Sequence, residues 1–148
     1  MGVIKAIEKV FQDRVKRNWD KTYWFFDVHG TILRPNYSYG NTPKDFYPHA
    51  KEALQFITSR SDIVSVIYTC SHPHEIQEYV NLFKTFDIHF NYINENPEVA
   101  TQTNGYGCYD KKPYMNVLFE DKAGFDAETE WEGVIEIMKS EYIKKTNV

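Results

Sequence analysis

Four short runs of aromatic and β-branched residues punctuate the chain: "TYWFFDV" at 22–28, "DIVSVIYT" at 62–69, "DIHFNYI" at 87–93 and "YMNVLFED" at 114–121. Three of them end in polar, turn-like residues and lead toward a stretch of helical period. Neighbouring parallel strands need long crossover connections, and a chain that alternates in this way is expected to form a parallel sheet with helices on its faces.

The helical stretches are read from their apolar spacing. Phe46, Ala50, Ala53, Leu54 and Ile57 keep helical period across 44–59, and Ile76, Tyr79, Val80 and Phe83 do so behind Pro73, which suits a first helical turn. A closing helix is expected over 128–144, with Trp131, Val134, Ile135 and Met138 on one side. At the N-terminus, residues 1–20 place Val3, Ile7, Val10 and Phe11 on one face, among basic and acidic residues, and so predict an amphipathic helix that packs on the domain. Proline, asparagine and glycine mark loops at 35–43 and 94–112.

A length of 148 residues suits one domain, and 42% apolar with 26% charged residues is the balance of a globular chain. The formal net charge of -4 argues against a stable nucleic-acid complex held by bulk electrostatics. No apolar run is long enough to span a bilayer, and neither Cys70 nor Cys108 lies in a CxxC or Cys/His metal pattern, so a cytoplasmic protein without a disulfide framework is expected.

In an open parallel sheet, ligands bind outside the carboxyl ends of the strands. The residues with chemical capacity fall there: Asp27 and His29 after the first strand, Thr69 after the second, Glu120 and Asp121 after the fourth. Lys111 and Lys112 precede the fourth strand. Singly, each has an ordinary explanation as a turn, a cap or a solvated surface residue. In this order they describe one polar site assembled from distant segments.

These residues carry a resemblance. "FFDVHGTIL" resembles the first motif of the haloacid dehalogenase superfamily, whose usual form is DxDGT after a buried strand, and "VSVIYT" resembles the second, a hydrophobic strand ending in Ser or Thr. The lysine before "PYMNVLFEDKAGFD" resembles the third motif and "LFED" the acidic fourth, so that the likeness runs over 22–126. It implies a Rossmann-like three-layer α/β sandwich. The segments 31–67 and 71–111 leave no room for a cap domain, as in small bacterial and phage-type members of the superfamily.

The implied activity is magnesium-dependent hydrolysis of a phosphate monoester. By the resemblance, Asp27 is the nucleophile that forms an aspartyl phosphate, and Mg2+ is held by Asp27, Asp121 and the backbone carbonyl of His29. Thr69 donates its hydroxyl to a phosphoryl oxygen, and Lys112, preferred over Lys111, offsets negative charge. Glu120 precedes Asp121 by one residue in a strand of period two and is expected to point elsewhere, while Asp126 is either an outer support for the metal or a turn residue. His29 stands where the family has its acid/base aspartate, and an imidazole can exchange protons near neutral pH.

A site without a cap admits a phosphorylated small molecule, a nucleotide or an oligonucleotide end. Tyr37, Tyr39, Tyr106 and Tyr109 are candidates for an aromatic rim on which a base would stack, and His72 and His74, which flank Pro73 next to the second motif, are candidates for substrate contact. The competing reading is a non-catalytic module of the same fold that binds a metal or phosphate.

Overall fold

The computed structural model describes residues 2–36, 42–99 and 111–146, with side chains through 141. Its centre is a sheet of four strands, all parallel: β1 (Thr22–Phe26), β2 (Ile63–Ile67), β3 (Tyr92–Ile93) and β4 (Val117–Phe119), in the order β3-β2-β1-β4. Four helices accompany it among the described residues: α1 (Gly2–Arg17), α2 (Ala50–Ser59), α3 (Pro73–Thr85) and α4 (Trp131–Thr146). This is a three-layer α/β architecture of Rossmann-like type. No described helix is long and apolar enough to cross a membrane.

Period-two alternation divides the strands between two cores. Trp24, Phe26, Ile63, Ile67, Val117 and Phe119 face the helices, where Ile7 of α1, Leu54 of α2, Phe83 of α3 and Trp131 of α4 meet them. Rings stack through this core, with Phe26 on Phe119 at 4.5 Å and Phe119 on Trp131 at 5.2 Å. On the opposite face, among the described residues, Phe25, Val64 and Val66 pack with Tyr68, Tyr92 and Met115.

The amphipathic N-terminal helix forms as its spacing predicts. Val3, Ile7, Val10 and Phe11 are its buried residues, and Phe11 meets Trp24 of β1 edge-on at 5.8 Å.

Several elements are shorter than their apolar patterns imply. The helix expected over 44–59 begins only at Ala50, because Pro48 lacks an amide proton and His49 adopts φ 67°. The residues before it run extended beside the first loop, with bonds from Arg34 N–H to Asp45 O (2.8 Å) and from Tyr47 N–H to Ile32 O (3.0 Å). The third strand keeps two residues of its seven-residue run, since Asp87 at φ 59° still belongs to the end of α3. Asparagine side chains then complete the ladders: Asn91 Oδ1 accepts from Ser65 N–H and Asn116 Oδ1 from Tyr23 N–H, each at 2.8 Å. Strand β4 stops at Phe119, where the chain turns into a single 3-10 turn, Asp121–Ala123.

Candidate active site

Strand β1 ends one residue before Asp27, whose N–H still donates to Phe119 O at 2.9 Å. The loop that follows is closed by the carbonyl of Val28, which accepts from Thr31, Ile32 and Leu33 at 3.3, 2.9 and 3.0 Å. Gly30 lies at φ +79°, a left-handed conformation that favours glycine, and a Cβ there would sit 2.6 Å from Oδ2 of Asp121. The tight turn is what lets the two acidic loops approach. Among the described residues, no backbone bond of this loop ends on the carbonyl of His29, which leaves that oxygen available.

Thr31 joins the two loops. Its hydroxyl donates to Oδ2 of Asp27 at 3.3 Å and accepts the N–H of Asp121 at 3.2 Å, while its carbonyl accepts from Trp131 Nε1 at 2.8 Å. Threonine in "HGTIL" thus serves as a brace beneath the site.

Asp27, Glu120 and Asp121 each bring one carboxylate oxygen into a cluster whose atoms lie within 4.8 Å of one another. Glu120 therefore faces the site, against the period-two expectation. The strand has already ended at Phe119, and Glu120 caps the 3-10 turn by accepting from Lys122 N–H at 3.2 Å, so alternation no longer dictates its direction.

Crowding of like charge in a partly desolvated place favours the protonated forms. Burial raises the Asp27 carboxyl above the usual range, with the Asp121 charge adding to it and bonds from Glu120, the Val28 amide and Thr31 opposing. Glu120 is pushed up to about 7, by burial first and then by its bond to Asp121 and the proximity of Asp27. Oxygen ligands of this kind suit magnesium, and a divalent cation would relieve the same repulsion that the proton on Glu120 relieves. The donor set fits the metal.

Thr69 lines, with these acids, a cavity of about 650 Å³. Its N–H donates to Asn94 Oδ1 at 2.7 Å, and its Oγ1 accepts Ser71 N–H at 3.2 Å and pairs with Ser71 Oγ at 2.9 Å. His29 lines the same cavity, and its Nε2 is hydrogen-bonded to the hydroxyl of Tyr79. His72 also lines it, as the N-cap of α3 in a reciprocal box with Glu75, whereas His74 is exposed and stacks on His72 at 5.8 Å.

The structure thus brings together Asp27, His29, Thr69 and Asp121. It does not bring Lys112 to them. Lys111 and Lys112 are exposed and line no part of the cavity, and Tyr114, two residues on from Lys112, packs edge-on against Tyr23 at the opposite end of β1 from Asp27. Strand β4 runs parallel to β1, so a residue leading into it approaches the amino end of the sheet. The lysine that lines the cavity is Lys122, in the turn after Asp121. Asp126 takes its turn role, accepting from Glu128 N–H at 3.1 Å. Tyr37, Tyr39, Tyr106 and Tyr109 lie outside the described residues.

Lys122, Asn94 and Tyr79 are the site residues that pattern reading missed, while Glu120 was placed at the strand end but expected to point elsewhere. Tyr79 had one visible signal, a hydroxyl on an otherwise apolar helical stripe.

A solved structure described as that of a conserved protein coded by a locus from Bacteroides thetaiotaomicron aligns with 82% of this chain and 92% of its own, at a TM-score of 0.60 and 15% sequence identity. A likeness at that identity concerns the fold. No family model matches the chain, and no curated protein does.

Proposed function

We propose that the chain is a magnesium-dependent phosphohydrolase acting on a phosphate monoester through an aspartyl-phosphate intermediate. The observation that carries this reading is the convergence of Asp27, Glu120 and Asp121 in a cavity that Thr69 also lines, at the carboxyl ends of parallel strands. Phosphoryl transfer asks the protein mainly to position groups and to balance charge. The sequence resemblance to the haloacid dehalogenase superfamily points the same way.

Asp27 is the nucleophile, its carboxylate held by the Thr31 hydroxyl so that one oxygen is presented to phosphorus. Asp121 and Glu120, with Asp27 and the His29 carbonyl, are the residues that would hold Mg2+. The ion supplies the positive charge that lets a carboxylate approach a dianionic phosphate. Thr69 donates to a phosphoryl oxygen, and Lys122 takes the charge-balancing role that the sequence pattern gave to Lys112. His29 protonates the leaving oxygen and then takes a proton from the water that attacks the phosphoaspartate.

The substrate class is a phosphorylated small molecule, a nucleotide or an oligonucleotide end, without a stable nucleic-acid complex. The free and exposed Cys70 at the cavity suits the reducing cytoplasm as the compartment. The exposed position of Lys112 favours a second reading, a binding module that keeps the acidic site without turnover.

Release of inorganic phosphate from a panel of sugar, nucleotide and end-phosphorylated oligonucleotide esters, with magnesium and with EDTA, separates the two. Magnesium-dependent release that is lost in Asp27→Asn is the expected result. A folded, metal-binding protein that releases phosphate from none of them is the binding module.

A further inference from the structure

Asparagine side chains stand in for backbone rungs beside the sheet. Asn91 Oδ1 accepts from Ser65 N–H and Asn116 Oδ1 from Tyr23 N–H, each at 2.8 Å, and Asn94 Oδ1 accepts from Thr69 N–H at 2.7 Å. Of these, Asn94 is the one that lines the cavity holding the acids. It also adopts φ 57°, and its own N–H donates to Ile67 O at 2.7 Å, so side chain and backbone are both tied to β2 and the residues that follow it. A backbone N–H can be met only by the oxygen of the amide, so the bond from Thr69 settles which end of the Asn94 side chain is Oδ1 and which is Nδ2. Among the described residues Nδ2 of Asn94 donates no hydrogen bond, whereas Nδ2 of Asn116 donates to the hydroxyl of Tyr114 at 3.2 Å. Asn94 therefore presents an oriented, neutral and exposed donor at the cavity.

The order of the strands places this donor. Across the carboxyl ends of the sheet, Asp121 follows β4, Asp27 follows β1, Thr69 follows β2 and Asn94 follows β3, and all of them line the same cavity. Adjacent strands lie about 4.8 Å apart, so the row is about 14 Å long and Asn94 is set about 10 Å from Asp27. A phosphoryl group attacked by Asp27 and held by Thr69 occupies the acidic end of the row. What extends past Thr69 to Asn94 is the alcohol portion of the ester.

We infer that Asn94 is a specificity-determining residue, whose Nδ2 donates to a ring hydroxyl of a phosphorylated sugar, either free or as the ribose of a nucleoside monophosphate. The inference rests on the phosphohydrolase reading for the position of the phosphoryl group. A fixed neutral donor calls for an oxygen acceptor, and at that separation from Asp27 the acceptor falls several bonds from phosphorus, where a sugar ring carries its hydroxyls. The wall beside Asn94 is polar as well, with Ser71, His72 and Glu75. Glu75 sets a further limit, because its carboxylate repels a second phosphate at that end and so favours a monophosphate over a diphosphate.

Hydrolysis of ribose 5-phosphate and of tetrahydrofurfuryl phosphate, the same ring without its hydroxyls, isolates the contact. A hydrogen bond of this kind corresponds to about three- to tenfold, so the wild type should show a kcat/KM higher by that factor for ribose 5-phosphate. Asn94→Gly removes the amide and suits the left-handed φ, and water can replace Oδ1 at the exposed Thr69 N–H. In this variant the ratio of the two esters should fall to within about twofold of unity. If Asn94 only held Thr69 in place, its removal would slow both esters by the same factor and leave the ratio unchanged. That result overturns the inference, and so does a wild type that shows no preference.

AMP in the same assay distinguishes the two sources of the sugar. A kcat/KM higher for AMP than for ribose 5-phosphate assigns it to a nucleotide and a lower one to a free sugar phosphate, with the loss in Asn94→Gly expected on whichever is preferred. If the wild type hydrolyses none of the three esters, the phosphohydrolase reading fails, and calorimetric titration of the intact esters with magnesium present decides the role of Asn94. A preference for ribose 5-phosphate of about threefold or more that is lost in Asn94→Gly sustains it. Equal affinities, or a preference that the variant keeps, overturn it.

Discussion

Gly30 and Asp121 approach so closely that a methyl group on the glycine would lie 2.6 Å from a carboxylate oxygen of the aspartate. This close approach joins the loop after β1 to the loop after β4 and sets the separation of the acids. Gly30 also holds φ +79°, where a side chain is strained whatever the space.

Gly30→Ala should therefore destabilise the fold by about 1–3 kcal/mol and lower magnesium affinity by about tenfold or more, by strain and by displacing Asp121. Thermal melts and calorimetric titration with magnesium measure the two effects. A double-mutant cycle with Asp121→Ala separates the causes, because the collision vanishes when the carboxylate is removed, while the backbone strain stays. Strictly additive losses would show that the close approach is not what positions Asp121.

The paired asparagines and the short strands show how far the fold could be read from residues. The strand runs and their parallel arrangement were legible because the runs of aromatic and β-branched residues alternate with stretches of helical period. Their ends were not, since Asn91 and Asn116 complete the ladders with side chains and Pro48 stops a helical pattern that Phe46 appeared to continue. The same limit applies to the site. Asp27, Thr69 and Asp121 were legible as strand-end residues. Glu120 was legible at its strand end too, but not its direction, because the period-two rule was extended one residue past the end of β4. Lys112 lies away from the acids for a related reason: it precedes the amino end of β4, and the acidic cluster lies at the other end.

Glu120 gives the acidic cluster its pH dependence. Its carboxyl titrates at about 7 in the folded protein against an ordinary value of 4.5, so between these values the folded state holds the proton more tightly than the unfolded chain. Stability is then lost as pH rises through that window. One pKa unit is worth about 1.4 kcal/mol, but Glu120 is only partly buried and screening reduces the effect, so Glu120→Gln should stabilise the metal-free protein by about 1 kcal/mol near pH 8 and by nothing near pH 5. Melts in EDTA at the two pH values test this. Magnesium should reverse the order near pH 8, where the wild type gains from the ion and the variant gains less. The same difference between the proteins at both pH values would mean that the proton on Glu120 does not relieve the cluster.

Trp131 reaches the site from the core. It is fully buried, stacks on Phe119 with planes 4° apart, and donates its indole N–H to the carbonyl of Thr31 at 2.8 Å. Thr31 in turn holds Asp27 and the backbone of Asp121. Trp131→Phe preserves an aromatic ring but leaves the Thr31 carbonyl without its donor, at about 1–3 kcal/mol for a buried acceptor in addition to the lost volume. Because the unpartnered group is the brace of the acidic loops, the loss should extend to function, with magnesium affinity lowered several-fold. Phe125→Leu provides the comparison, since Phe125 packs edge-on against Trp131 at 4.9 Å without contributing that bond. It should cost stability and leave magnesium affinity near the wild-type value. If both variants lose stability and bind the ion equally well, Trp131 serves the core alone, and Thr31 holds the acids without support from α4.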